Sequence, residues 1–363
     1  MIDSEKFASF LQDRFSFIAG VPDSLLKYIN QALEEKLREN FHICANEGQA
    51  VAFGVAYNLA TSKIPLIYMQ NSGIGHALNP LLSLADKTVY QIPLILFIGL
   101  RGGVDDEPQH LKHGEISEKI LKICSIKTLY LSQNITTAKR QINKAIEQSF
   151  NDKKIIAFLI KKNTFSKYSN NGIKNNNFAI LREEAIALIQ DIFQDSKFVT
   201  TTGMISRECY ELRKNKNQTH ENDFLVVGSM GHANSLAFIL SRYSKKRIVC
   251  LDGDGALIMH MGGILNFKGA SFLHIVFNNE MHDSVGGQRT HISNTNLKKM
   301  LKICGYDYSY SVATITQLKR ILKNIKKQKG LIFLEIKVKR QTRDNLGRPK
   351  NLLHLKEIFC REF

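Results

Sequence analysis

Short, nearly unbroken apolar runs alternate with helical stretches along this whole chain, and that alternation constrains the fold more than any other feature. In the first half the runs are SFIAG, FHICA, IPLIYMQ, YQIPLILFIG and IIAFLIKK; in the second they are KFVTTTG, DFLVVGS, RIVCLDG, LHIVFNN and LIFLEIKV. A strand that is apolar at nearly every position is buried on both faces, which requires a mainly parallel sheet covered by helices on both sides. Between the halves lies KNTFSKYSNNGIKNNNFAIL (162–181), rich in asparagine and without apolar periodicity, which reads as a linker or long surface loop. The expectation is an α/β chain of two tandem three-layer sandwich domains, residues 1–165 and 181–363, joined by a linker at 166–180.

Composition narrows the class. With 44% hydrophobic and 23% charged residues the chain matches an ordinary soluble globular protein. Its longest apolar stretch, IPLILFIGL (92–100), is too short to span a bilayer, and the opening MIDSEKFASFLQDRF lacks a signal-peptide design. A cytoplasmic protein without a membrane partner is expected. Six cysteines occur without a C-x-x-C pair, mostly beside aliphatic residues, and read as buried free thiols. The net charge of +17 would suit a polyanion. In ITQLKRILKNIKKQKG (315–330), however, Ile315, Leu318, Ile321, Leu322 and Ile325 fall at helical spacing and the lysines take the other face. No aromatic residues interleave and no nucleic-acid module is present, so a solvated helix face is expected and no nucleic-acid partner. A small anionic substrate fits a basic protein equally well.

Open parallel sheets bind ligands at the carboxyl ends of their strands. Those ends read GVPDS (20–24), NEGQA (46–50), QNSGIGH (70–76), TTTGMISRE (200–208), GSMGHA (228–233), GDGA (253–256) and NNEMHDSVGGQRT (278–290). The most specific is DGDGALIMHMGG (252–263). An EF-hand starting at Asp252 fails, because Ala256, Leu257 and Gly263 stand where an oxygen ligand, a glycine and a glutamate are required. A dinucleotide G-x-G-x-x-G fails at Ile258, and a plain tight turn is the bland alternative. Context favours a ligand. RIVCL is a strand, ALIMHMGGILNFKGAS a helix and FLHIVFNN the next strand, so Asp254 and Asn279 sit at the same sheet mouth, one βαβ crossover apart. One anionic and one neutral oxygen ligand suit Mg²⁺ that shares its sphere with phosphate oxygens, and the helix start at Gly255 and Ala256 offers N–H groups to that phosphate.

GDG followed at this interval by NN resembles the signature of thiamine-diphosphate (ThDP) enzymes. GVPDSLLK, NEGQAVAFGVAYNLAT, YMQNSGIGHALNPLLSLAD, DEPQHLKHG, GSMGHANS, NNEMHDSVGGQRT and LGRP extend the resemblance over nearly the whole chain. They are similar to the phosphonopyruvate decarboxylases, near relatives of the sulfopyruvate decarboxylases. The resemblance implies the ThDP-binding fold, a pyrimidine-binding domain followed by a diphosphate-binding domain, and no middle domain. It implies that Glu47 faces N1′ of the aminopyrimidine, that Asp254, Asn279 and the Met281 carbonyl ligate Mg²⁺, and that Gly203, Ser206, Ser229, Gly255 and Ala256 line the cofactor. Met230 matches the apolar wedge that bends it. Asp23, Ser24, Ser72, His110, His282, Arg289 and Thr290 are the substrate candidates; His76, His113, Arg101, Arg343 and Arg348 also lie on or near strand-end loops. His76 departs from the resemblance, which leads one to expect asparagine there. The implied activity is ThDP- and Mg²⁺-dependent decarboxylation of a small anionic 2-oxoacid, 3-phosphonopyruvate first. Sulfopyruvate decarboxylation, carboligation and, distantly, a basic nucleic-acid binder with a relic site are the alternatives. A homodimer or higher homo-oligomer with its active site at the interface is expected.

Overall fold

A computed structural model of the chain describes residues 1–103, 106–168, 176–343 and 345–361. It divides into two units, Met1–Lys174 with Val285–Gln288, and Asn175–Ser284 with Arg289–Phe363. Part of the asparagine-rich stretch, 169–175, lies outside the described residues, as do Val104 and Asp105 of the GLRGGVDDEPQH loop.

The first unit carries strands β1 (Ile18–Gly20), β2 (Phe41–Ile43), β3 (Leu66–Gln70), β4 (Leu94–Gly99), β5 (Lys127–Tyr130) and β6 (Ile155–Ile160). Its helices are α1 (Ser4–Gln12), α2 (Lys27–Leu37), α3 (Glu47–Thr61), α4 (Ile74–Pro80), α5 (Pro108–Ile123) and α6 (Ile135–Asp152). The second unit carries β7 (Lys197–Thr200), β8 (Asp223–Leu225), β9 (Ile248–Gly253), β10 (Leu273–Asn278), β11 (Tyr308–Val312) and β12 (Ile332–Lys337). Its helices are α7 (Arg182–Ile192), α8 (Met204–Asn215), α9 (Ala233–Tyr243), α10 (Asp254–Met259), α11 (Leu297–Ile303), α12 (Ile315–Lys327) and α13 (Leu352–Cys360).

Every strand pairing is parallel. The strand orders are β2-β1-β3-β4-β6-β5 and β11-β12-β10-β9-β7-β8. Read from its other edge, the second order repeats the first strand for strand, so the two sheets share one topology. In each, the first strand lies between the second and the third. The chain therefore reverses direction across the sheet beside β1 and beside β7, and such a switch point leaves a crevice at the strand ends.

Burial on both faces produces the unbroken apolar runs. Along β9, Val249 and Leu251 join one buried cluster with α7, α8 and α12, whereas Ile248 and Cys250 join another with α9 and α11. On α12, Leu318, Leu322 and Ile325 are buried against the sheet and the lysines face outward, as the amphipathic pattern predicts. The expected strands are all present. Two more, β5 and β11, are edge strands with half-exposed patterns, so KTLY and YSYSV carry no continuous apolar signal. The helix expected over ALIMHMGGILNFKGAS is shorter: α10 ends at Met259, His260 leaves helical geometry, and a 3₁₀ turn over Met261–Phe267 follows. The Gly262–Gly263 pair weakens a continuous helix there. All six cysteines are free; Cys44, Cys209 and Cys250 are buried, but Cys360 is exposed, contrary to the uniformly buried expectation. Among the described residues no helix is long and apolar enough to cross a membrane.

Candidate active site

In the second unit, loops after β7, β8, β9 and β10 gather most of the predicted cofactor residues. Asp254 begins α10 directly after β9 and is 3% exposed. Its Oδ2 accepts a 2.6 Å hydrogen bond from Thr290 Oγ1, and the N–H groups of Gly255 and Glu280 also lie against the carboxylate. Burial nevertheless pushes its pKa from the ordinary 3.8 to about 7, outweighing those hydrogen bonds. Among the described residues it has no cationic partner. Thr290, read from sequence as a substrate contact, is instead buried and tied to this carboxylate.

The turn after β10 brings the other donors. Asn279 is buried, and its Oδ1 accepts the Met281 N–H at 3.1 Å, leaving one lone pair. Behind it, Asn176 Nδ2 and Arg340 Nε donate to the Asn279 carbonyl at 3.2 and 3.0 Å. Asn176 comes from the asparagine-rich stretch, and nothing in that run distinguishes it from its neighbours. Met281 is buried and forms an antiparallel bridge with Arg289. Asp254 follows β9 and Asn279 follows β10, and these strands pair with Gly253 opposite Phe277, so two side-chain oxygen donors stand on neighbouring strand ends. That chemistry fits a hard divalent cation such as Mg²⁺.

Gly255 is a hollow beside this corner. A Cβ there would stand 2.8 Å from His282 Cε1 and 3.4 Å from Met230 Cε, so both side chains reach over it. Burial pushes the His282 pKa down to about 4, helped by the nearby His291, which keeps the ring neutral. Met230 sits in a tight turn with Ser229 and Gly231 at φ 46° and 87°. Gly203, at φ 89°, begins the loop-to-α8 turn, in backbone geometry that favours glycine. Ala256 is buried, whereas Ser229 and Arg289 are exposed. Ser206 Oγ lies 2.8 Å from Thr200 Oγ1 and within 3.0 Å of the Thr201 and Val226 carbonyls, so its hydroxyl ties α8 to the sheet. The other acid of the motif, Asp252, is fully buried below the mouth. It accepts from Asn234 Nδ2 and pairs with His274, whose Nδ1 lies 2.8 Å from the Tyr306 hydroxyl. This chain braces β9 from behind.

In the first unit, Glu47 is the first residue of α3 and 5% exposed. Local sequence fixes it: Asn46 caps the helix by accepting the Gln49 N–H at 2.9 Å, and Gln49 Oε1 accepts the Ala45 N–H at 2.8 Å. The carboxylate lies against Gly73, where a Cβ would stand 2.5 Å from Glu47 Cδ. His76 Nδ1 lies 2.8 Å from Glu47 Oε2.

Asp23, in the loop after β1, is fully buried. Its Oδ2 accepts the Leu25 and Leu26 N–H groups at 2.8 and 3.0 Å, while Oδ1 has no partner among the described residues. Burial raises its pKa to about 6 against those bonds and the charge of Arg101. Ser24 Oγ accepts from Arg101 Nη1 at 2.9 Å, and Ser72 Oγ accepts from Gln70 Nε2 at 2.6 Å. Arg101, considered for the substrate head group, forks onto Asp106 through Nε and Nη2, and Arg343 forks onto Glu183. Both are committed to carboxylates. His110 is half-buried with its pKa lowered by burial and by Arg101; its Nδ1 has no partner among the described residues. Arg289 makes no ion pair among the described residues.

Residues 4–121 match the thiamine pyrophosphate enzyme N-terminal TPP binding domain, and residues 199–336 match the C-terminal TPP binding domain of the same enzymes. A phosphonopyruvate decarboxylase of Streptomyces viridochromogenes is 26% identical over 92% of this chain and 87% of its own length. One from Streptomyces hygroscopicus is 25% identical over 95% and 90%. A sulfopyruvate decarboxylase subunit beta of Methanocaldococcus jannaschii is 27% identical over 38% of this chain and 72% of its own length. With both domains matched and a strand-end corner suited to a divalent cation, the chain belongs to the thiamine pyrophosphate enzymes.

Proposed function

We propose that this enzyme is a carboxy-lyase that converts 3-phosphonopyruvate to phosphonoacetaldehyde and CO₂, with thiamine diphosphate and Mg²⁺ as cofactors, in phosphonate biosynthesis. The observation that carries the reading is Asp254: a buried carboxylate without a cation among the described residues, at the strand end of a TPP-binding domain, in a chain similar over most of its length to two phosphonopyruvate decarboxylases.

Asp254, Asn279 and the Met281 carbonyl would hold Mg²⁺, and through it the diphosphate. Gly203, Ser229 and Ala256 would line that group, with Met230 and His282 walling the hollow at Gly255. Glu47 would exchange a proton with N1′ of the aminopyrimidine. When bound, thiamine diphosphate supplies the electron sink for loss of CO₂. Asp23, protonated to about pH 6, would hold a proton at its unpartnered Oδ1 for delivery to the carbon that loses CO₂. His110 would donate to the substrate, and the exposed Arg289 would meet the anionic head group with its fork. The Glu47 half of the site and the Asp254 half would come from different subunits of a homodimer.

The test is release of CO₂ by purified enzyme with ThDP and Mg²⁺ from phosphonopyruvate, sulfopyruvate and pyruvate. Phosphonopyruvate should be turned over much faster than the other two. Equal or reversed rates would remove the substrate assignment, and acyloin formation with an added aldehyde would identify a carboligase instead.

A further inference from the structure

The contact between His76 and Glu47 is not accounted for by the roles above. His76 lies on α4, two residues past the Ile74 that opens it, and its side chain is 35% exposed where that of Glu47 is 7% exposed. Its Nδ1 lies 2.8 Å from Oε2, while Oε1 accepts no hydrogen bond among the described residues. Gly73 leaves room for Oε1, the first atom a Cβ there would meet, so the carboxylate is held between an imidazole at Oε2 and a bare Cα beside Oε1.

We propose that His76 is a positioning residue for Glu47, clamping Oε2 against the Gly73 backbone so that the carboxylate keeps one orientation for the aminopyrimidine of the cofactor. This rests on the reading of Glu47 as the N1′ partner. A carboxylate at a helix start has free side-chain torsions, and a single donor on one oxygen removes that freedom before the ligand arrives. An imidazolium does so as a charge-assisted hydrogen bond, stronger than a neutral donor supplies. The Glu47 hydrogen bond raises the His76 pKa above its ordinary value, against an opposing effect of burial. The charged clamp is therefore complete where His76 is protonated and Glu47 ionised, and is lost as pH rises through the raised His76 pKa. Other titratable groups packed around the pair are the Cys44 thiol, pushed up to about 12 by burial, and beside it the Tyr68 hydroxyl, raised further by burial. Both stay neutral across the working range.

The test uses the full-length chain with His76→Asn, whose amide replaces the Nδ1 donor without titrating, and His76→Ala, which replaces nothing. Nuclear magnetic resonance of ring-labelled histidine should give a His76 pKa above the ordinary value in the wild type, falling back in Glu47→Gln. Calorimetric binding of ThDP with Mg²⁺ should weaken about tenfold in His76→Ala and stay within about twofold in His76→Asn, the fold-change of one charge-assisted bond. Wild-type affinity should decline as pH rises through the measured His76 pKa, and that decline should be absent from His76→Asn. An unshifted His76 pKa, or an Ala variant with wild-type affinity and pH dependence, would overturn the proposal. These readings need no substrate, so a wrong 2-oxoacid leaves them intact, whereas undiminished turnover by Glu47→Gln would sink the role of Glu47 itself.

Discussion

Asp254 makes a quantitative prediction about the cation-free protein. Its carboxyl is pushed from 3.8 to about 7 by burial, a rise of about three units, and each unit is worth ~1.4 kcal/mol between the two protonation states. At 3% exposure solvent screening removes little of that, so the ionised group destabilises the cation-free fold by up to ~4 kcal/mol. The sign follows from linkage. Below pH ~4 both folded and unfolded chains are protonated at this position and the penalty is absent. It grows as pH rises through the interval and is complete once pH passes the folded-state value near 7.

Asp254→Asn removes the charge and retains an oxygen that can accept from Thr290. Its amide hydrogens would face the Gly255 and Glu280 N–H groups, which reduces the gain, so a stabilisation of about 1–4 kcal/mol is expected at pH 8 in EDTA. Thermal unfolding should show it, each kcal/mol raising Tm by about 2–4 °C in a unit of this size. At pH 4 the two proteins should coincide. Adding Mg²⁺ and ThDP at pH 8 should stabilise the wild type and leave the variant unmoved. A variant no more stable than wild type at pH 8, or equally stabilised at both pH values, would refute the reasoning.

Gly73→Ala would drive a Cβ into the Glu47 carboxylate, and kcat should fall at least about a hundredfold with the unfolding midpoint little changed; a kinetically silent variant would show that the carboxylate has room to move. Asp23→Asn should lower kcat by about 10²–10⁴ and abolish the loss of activity expected as pH rises through about 6, read from the pH–rate profile. Mixing and refolding Glu47→Gln with Asp254→Ala, each inactive alone, should restore about a quarter of wild-type activity if the two halves come from different subunits, because half the dimers are mixed and each holds one intact site. No restoration would place both residues in one chain's site.

Local pattern revealed what local physics decides. Strands buried on both faces announce themselves, whereas edge strands such as KTLY and YSYSV, half in water, do not. The Asn46–Gln49 cap that fixes Glu47 is written in four consecutive residues. Contacts between distant segments stayed hidden. Thr290 reads as a loop hydroxyl until it is seen on Asp254, and Arg101 as a ready anion binder until Asp106 occupies its fork. The brace of Asn176 on Asn279 links residues from separate loops and leaves no periodicity to find.

The strongest indication of function is a contrast in how this fold treats buried charge. Arg182 forks onto Glu208 with two 2.8 Å bonds, Arg213 onto Asp223 at 3.0 and 3.1 Å, and Asp252 has His274 and Asn234. Each is a satisfied network, as buried ions must be if they are to be tolerated. At the strand ends, among the described residues, Asp254 has neutral donors but no cation, and Asp23 has no donor at Oδ1. Elsewhere the chain meets buried charge with counter-ions or with neutral hydrogen bonds, as for Lys197 on two carbonyls and Glu335 on Asn278 and Ser311. A group left unsatisfied in the folded protein is one whose partner arrives later, and the two exceptions stand where a cation and a substrate are proposed to enter.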